Sequence, residues 1–226
     1  MGKLFVIDGT DGSGKQTQFL KLKNRLDAEG IKYMNVSFPN YESDSSALVK
    51  MYLAGDFGEN ASDVSPYIAS TFYAADRYAT YKKKLEKFYE TGGLILADRY
   101  TSSNMIHQSG KIKDKKERKK FINWLFDLEF NLYKIPKPDR VFFLNMPTQV
   151  SLELIKNREN KITHEMKKDI HERDEHHLLD AYNAACDLAK EYDWFEIKCT
   201  NENGIRTVDD IHEEIFAEVK RILDEE

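Results

Sequence analysis

The chain has 226 residues, 41% of them hydrophobic and 32% charged, with a net charge of −5 at neutral pH. That supplies enough apolar material for one buried α/β core. The acidic balance argues against duplex binding, which draws its affinity from basic residues that neutralise phosphates. The ten residues from Lys111 to Lys120 hold seven basic and two acidic side chains and read as a solvated helix entry.

Cys186 and Cys199 show neither a metal-ligand spacing nor a disulfide framework. No apolar run approaches the roughly 18 residues that span a bilayer. With no signal peptide in view, a cytoplasmic chain without a nucleic-acid or membrane partner is expected.

The elements follow in order. Leu4–Ile7 is a continuous apolar run, as in a strand buried on both faces. Gln18–Ala28 has helical spacing with Phe19, Leu22 and Leu26 on one stripe, ended by Gly30. Tyr33–Phe38 reads as a second strand, stopped by Pro39. Residues 62–89 form one or two long helices, with Pro66 near a start. After Gly92-Gly93 comes a third strand, Leu94–Ala97. Lys116–Tyr133 is helical, with Trp124, Leu125 and Leu128 as its apolar face. Val141–Leu144 is a fourth strand. Val150–Lys156 and Ile170–Glu191 are helical, Phe195–Cys199 is a fifth strand, and Val208–Leu223 closes the chain. Strands alternating with helices give a parallel sheet flanked by helices, in a single domain over 1–226, with ligands beyond the carboxyl ends of the strands.

Gly9-Thr10-Asp11-Gly12-Ser13-Gly14-Lys15-Gln16-Thr17 follows the first strand and opens a helix. This is the setting in which a Gly-x4-Gly-Lys loop cradles phosphates. Its glycines let successive N–H groups point inward, the helix N-terminus adds positive potential, and Lys15 brings a mobile charge. The residue after the lysine is ordinarily Ser or Thr; here it is Gln16. Thr17, about 100° further round the helix, does not simply replace it.

Asp98-Arg99 directly follows the third strand. A carboxylate there can orient a magnesium ion or its waters, and an arginine can grip a phosphate through two N–H groups.

Five ordered segments then carry a resemblance. They are Asp8–Lys15, Ser37-Phe38-Pro39-Asn40-Tyr41, Phe72-Tyr73-Ala74-Ala75-Asp76-Arg77, Asp98–Asn104 and Asp169-Ile170-His171-Glu172. Over residues 4–200 the chain resembles the thymidylate kinase family of P-loop kinases. The resemblance implies a three-layer sandwich around a five-stranded parallel sheet, with a short helical lid at 156–170. It implies ATP and dTMP as substrates, Mg2+ as cofactor and a homodimer.

The resemblance also assigns roles. Asp11, Gly12, Ser13, Gly14, Lys15, Gln16 and Thr17 hold ATP. Phe38 and Tyr41 pack on the acceptor sugar and phosphate. Tyr73 stacks on thymine, and Arg77, four residues on and on the same helix face, donates to a base carbonyl. Asn104 reads the base edge. His107 stands where many relatives have a tyrosine that disfavours ribose, and Asn40 where an arginine is expected. Arg99 grips phosphate, and Asp11 reaches the 3′-hydroxyl or the acceptor-side metal. Asp98, Asp11 and Glu172 are the metal candidates. The phosphate loop carries no arginine, so the catalytic one is expected in the lid, with Arg158 the candidate beside Lys15, Arg99 and Asp11.

Two other readings stay open at this stage. One is a sibling kinase for another deoxynucleotide or a deoxynucleoside; the latter needs a base, for which Asp8 is nearest. The other is a nucleotide-binding switch, though the fourth strand is followed by Leu144-Asn145-Met146-Pro147 rather than a guanine-reading segment.

Overall fold

The computed structural model describes residues 1–161 and 175–225. The chain runs β1 (Lys3–Asp8), α1 (Lys15–Ala28), β2 (Tyr33–Ser37), α2 (Ala47–Ala54), α3 (Pro66–Thr80), α4 (Glu86–Glu90), β3 (Leu94–Asp98), α5 (Thr101–Ser109) and α6 (Lys115–Phe126). It continues with β4 (Arg140–Asn145), α7 (Thr148–Lys161), α8 (Glu175–Glu191), β5 (Phe195–Lys198), the two-residue strands β6 (Thr200–Asn201) and β7 (Gly204–Ile205), and α9 (Val208–Asp224).

Strands β1 to β5 form one sheet in the order β2-β3-β1-β4-β5, every neighbouring pair parallel. The central strand explains its own sequence. Phe5 and Ile7 face a cluster with Phe19, Leu22 and Leu26 of α1 and Ile215 and Val219 of α9. Leu4 and Val6 face the other way, onto Ile95, Ala97, Tyr81, Leu85 and Tyr89. Both faces are covered, so a strand with period-two geometry reads as unbroken hydrophobicity. The result is three layers. No helix among the described residues is long and apolar enough to cross a membrane.

Several boundaries moved. α1 begins at Lys15 rather than Gln18, because Gly14 takes the left-handed conformation at its N-cap and the phosphate loop runs straight into the helix. The expected 62–89 region is α3 joined to α4 through a π-helical turn, Tyr81–Leu85. The helix expected over 116–133 is α6 followed by a second π-helical turn, Asp127–Leu132. α7 runs beyond the expected 150–156, and α8 is described from Glu175, with 170–174 outside the described residues. Helices α2 and α5 and the β6–β7 hairpin have no counterpart in the sequence reading.

Register positions the site. Ile7 pairs with Asp98 across β1 and β3, so the loop after Asp8 and the residue after Asp98 emerge side by side. Arg99 turns there with φ 65°, and its N–H donates to Ile7 O at 3.1 Å. A non-glycine residue in this region is strained, and such strain gathers at functional sites.

Candidate active site

The phosphate loop curls over the carboxyl end of β1. Gly12 sits at φ 77°, and a Cβ there would lie 2.7 Å from Ser151 O and 3.0 Å from Ile155 Cγ1 of α7. The loop therefore touches α7 in a way that only glycine permits. Lys15 is buried, and its ammonium donates to Thr10 O at 2.7 Å. Burial, reinforced by Arg99 and opposed by Asp11, Asp8 and Asp98, lowers its pKa to about 8. Thr10 Oγ1 and Ser13 Oγ are buried with no hydrogen-bond partner in the protein, which suits a site whose partner is a ligand. Gln16 and Thr17 are both exposed.

Three carboxylates surround the lysine and behave differently. Asp8 is saturated: it accepts from Gly9 N at 2.9 Å, Ser102 Oγ at 2.5 Å and Ser103 Oγ at 2.8 Å. Asp11 accepts from Arg99 Nη2 at 2.5 Å and lies 3.8 Å from Lys15 Nζ. Burial alone would raise Asp11, yet Arg99 and Lys15 hold it well below the ordinary carboxylate range. In Asp98, Oδ1 is buried and has no hydrogen-bond partner; burial pushes its pKa up, against Arg99 and Lys15. An orphaned carboxylate oxygen beside a phosphate cradle suits a hydrated cation. No cluster of three or more His, Cys, Asp or Glu suited to a metal occurs among the described residues. A cation here would complete its shell with phosphate oxygens and water.

Beside the loop lies a cavity of 320 Å³. All eight residues expected at the acceptor, Asp11, Phe38, Tyr41, Tyr73, Arg77, Arg99, Asn104 and His107, line it. They come from the phosphate loop, the segment after β2, helix α3, the end of β3 and helix α5. Phe38 is also core, packed on Tyr100 with ring centroids 5.7 Å apart. Tyr73 is half-buried and stands edge-on to Tyr52 at 6.3 Å. Asn104 is buried, its amide 3.4 Å from Ser70 O. His107 Nε2 lies 3.3 Å from Arg99 Nη1, and its ring stacks on His177 of α8. Burial drives the His107 pKa well down, with Asp11 opposing and Arg99 and His177 assisting. The neutral ring then accepts from the guanidinium.

Arg77 is 2% exposed and bound by Glu129 through Nε and Nη2, both at 2.6 Å. Asn40, at the expected arginine position, is engaged elsewhere: its N–H donates to Asp76 at 2.8 Å and its amide to Thr80 at 3.1 Å. The side chain of Arg158 in α7, Glu172, and most of the 156–170 lid segment lie outside the described residues.

Two participants were not foreseen. Gln108 lines the cavity with its Oε1 buried and without a hydrogen-bond partner; its position four residues after Asn104, on the same helical face, was the available signal. Glu129 gave no signal, being 52 residues from the arginine it binds.

A thymidylate kinase family profile matches residues 7–211. The chain belongs to the thymidylate kinase family. Relatives of that name span it almost end to end. It is similar to the thymidylate kinase of Caldicellulosiruptor saccharolyticus, 26% identical over 99% of this chain and 97% of that one. It is similar to the thymidylate kinase of Plasmodium falciparum at 26%, over 98% and 91%. A protein of Pyrococcus horikoshii named probable thymidylate kinase is 26% identical over 98% of both chains. The thymidylate kinase match thus takes in the phosphate loop, the cavity and the segment between them.

Proposed function

We infer that this protein transfers the terminal phosphoryl group of ATP to dTMP, giving dTDP and ADP. The observation that carries the reading is one shared cavity: eight residues from five separate segments line it, beside the buried Lys15.

The chemistry follows from the residues. The curled amides and Lys15 hold the donor phosphates, and Arg99 faces the acceptor phosphate. A monoester phosphate is already ionised near pH 7, its second pKa being about 6. Its oxygen attacks the γ-phosphorus, a P–O bond forms there, and the bond to the β-phosphate oxygen breaks, releasing ADP. No general base is required. Asp8, with three donors already, is poorly placed to serve as one, which counts against the deoxynucleoside kinase reading. The work is positioning and cationic stabilisation of charge on the transferring oxygens. Arg158 is the lid arginine proposed to supply part of it.

Asp98 and Asp11 would hold Mg2+, with Glu172 the third candidate; the ion would draw charge from the phosphates when bound. Thymine would stack on Tyr73, worth about 1–3 kcal/mol. Arg77, Asn104 and Gln108 would address its polar edge.

We further propose a homodimer, a single domain with its lid at 156–170, and a cytoplasmic location. Helix α3 keeps a stripe of Ile68, Thr71, Ala75 and Tyr78 exposed, suited to a second copy of the chain. The two cysteines are free thiols, as in reducing compartments.

An ADP-release assay with dTMP, dUMP and thymidine tests the function. Turnover with dTMP, modestly preferred over dUMP by roughly 10–200-fold, and none with thymidine is expected. Thymidine turnover would favour the nucleoside kinase, and tight nucleotide binding without turnover the switch.

A further inference from the structure

The base end of the acceptor cavity rests on an ion pair whose acid lies behind its lining. Glu129 is fully buried, while its neighbours Leu128 and Phe130 are only half-buried. That inverts the usual order, in which leucine and phenylalanine go inside and an unpaired acid stays out. The inversion is built into the backbone. Glu129 sits in the π-helical turn Asp127–Leu132, where an extra residue per turn redirects the side chains from a regular helical face. Such turns recur at functional sites.

The carboxylate has three donors. Arg77 supplies Nε and Nη2, and Thr101 Oγ1 adds a third bond at 2.9 Å. A two-point bond of this kind fixes the plane of a guanidinium. Arg77 still lines the acceptor cavity. With Nε–H and one N–H of Nη2 engaged, the two N–H of Nη1 and the second N–H of Nη2 are left for a ligand.

We infer that Glu129 is a positioning and specificity-determining residue for the acceptor base. It locks the plane of Arg77 and cancels its charge, so that Arg77 offers its remaining N–H groups, held in a fixed plane, to a neutral carbonyl oxygen. An unpaired guanidinium in the same place would attract a phosphate to the wrong end of the cavity. Paired, it is a directed donor, matched to a 4-oxo pyrimidine and mismatched to a 4-amino one, which presents a donor to a donor. The inference rests on the reading of Arg77 as the base-facing arginine.

The test uses the full chain with Glu129→Gln, Thr101→Val and Arg77→Ala, and compares dTMP with dCMP as acceptors. Glu129→Gln is expected to raise KM for dTMP about tenfold, keep kcat within about threefold, and shrink the dTMP-over-dCMP preference about tenfold. A fall in kcat with the preference intact would mean a structural role and overturns the inference. Should Glu129→Gln not fold, Thr101→Val decides: a KM increase of about threefold at constant kcat supports the inference, and an unchanged KM overturns it. Arg77→Ala separates the two layers. If it leaves the preference intact, the base-facing reading itself fails. If it abolishes the preference while Glu129→Gln does not, that reading stands and the role of Glu129 falls.

Discussion

Arg99 Nη2 lies 2.5 Å from Asp11 Oδ1, so an arginine at the end of β3 is clamped by the acid of the phosphate loop. The clamp holds a strained residue, at φ 65°, between the phosphate loop and the cavity. Stability and activity should therefore separate here. Arg99→Gly removes the strain, of order 1 kcal/mol, together with a mostly buried ion pair, whose loss is limited to about 2 kcal/mol because Lys15 stays 3.8 Å from Asp11. The melting temperature is expected to stay within about 4 °C of the parent. kcat/KM for dTMP is expected to fall by about 10²-fold or more. Calorimetry and steady-state kinetics on one preparation check both halves.

The loop glycine pressed on α7 gives a second prediction. In Gly12→Ala the new methyl would meet Ser151 O at 2.7 Å with φ at 77°. Loop or helix must shift, and the cradle opens. KM for ATP is expected to rise about tenfold or more, with stability falling by about 1–3 kcal/mol. KM for dTMP should change far less, which a two-substrate kinetic matrix would reveal.

Gln108 should behave in the opposite sense in the protein without substrates. Its Oε1 is buried and unpaired there, so Gln108→Leu removes an unmet acceptor at nearly constant volume. Stability is expected to hold or rise by about 1 kcal/mol. KM for dTMP should rise roughly tenfold, since a bound donor then loses its partner. Urea unfolding and acceptor kinetics provide the comparison.

The pH dependence follows from two lysines, the buried Lys15 and the partly buried Lys111. Lys15 and Lys111 both have pKa values lowered to about 8, first by burial; Lys111 also donates to Tyr52 OH at 2.8 Å. In activity, kcat/KM for ATP is expected to fall as pH rises through about 8, while kcat holds to higher pH because bound phosphates restore the charge on Lys15. In stability the sign reverses. The folded state begins to lose these protons near pH 8, and the unfolded state keeps them to about 10.5. Stability therefore gains with pH from about 8 upward. Cys199, pushed up to about 12 by burial, opposes this above its ordinary value of 9. The clean readout is the difference between the parent and Lys111→Met: the variant should be more stable below pH 8, with the gap closing as pH rises.

Much of the fold was legible because both faces of the sheet are covered. Leu4–Ile7, Leu94–Ala97 and Val141–Leu144 read as strands for that reason, and each became the core of one. The phosphate loop was legible because its glycines answer to backbone geometry alone. Helix α5 was not: Thr101-Ser102-Ser103-Asn104 is a poor helix former on propensity, and tertiary contacts hold it, with Ser102 and Ser103 on Asp8 and Thr101 on Glu129. The residues that line the cavity could be named one at a time from ordered segments. Their supports could not, since Asp8 reaches Ser102 across 94 positions and Arg77 reaches Glu129 across 52. Pairings at that distance leave no local pattern.

The π-helical turns at Tyr81–Leu85 and Asp127–Leu132 can each be seen as a single surplus residue lodged in an otherwise ordinary helix. Deleting one residue from the second would restore plain α-helical winding and turn every side chain beyond the excision by about 100°. A shortened chain of that kind would be more regular as a helix and worse as a catalyst. Length in this segment is therefore constrained by aim rather than by packing, and a natural variant one residue shorter there should be found with a different partner for Arg77.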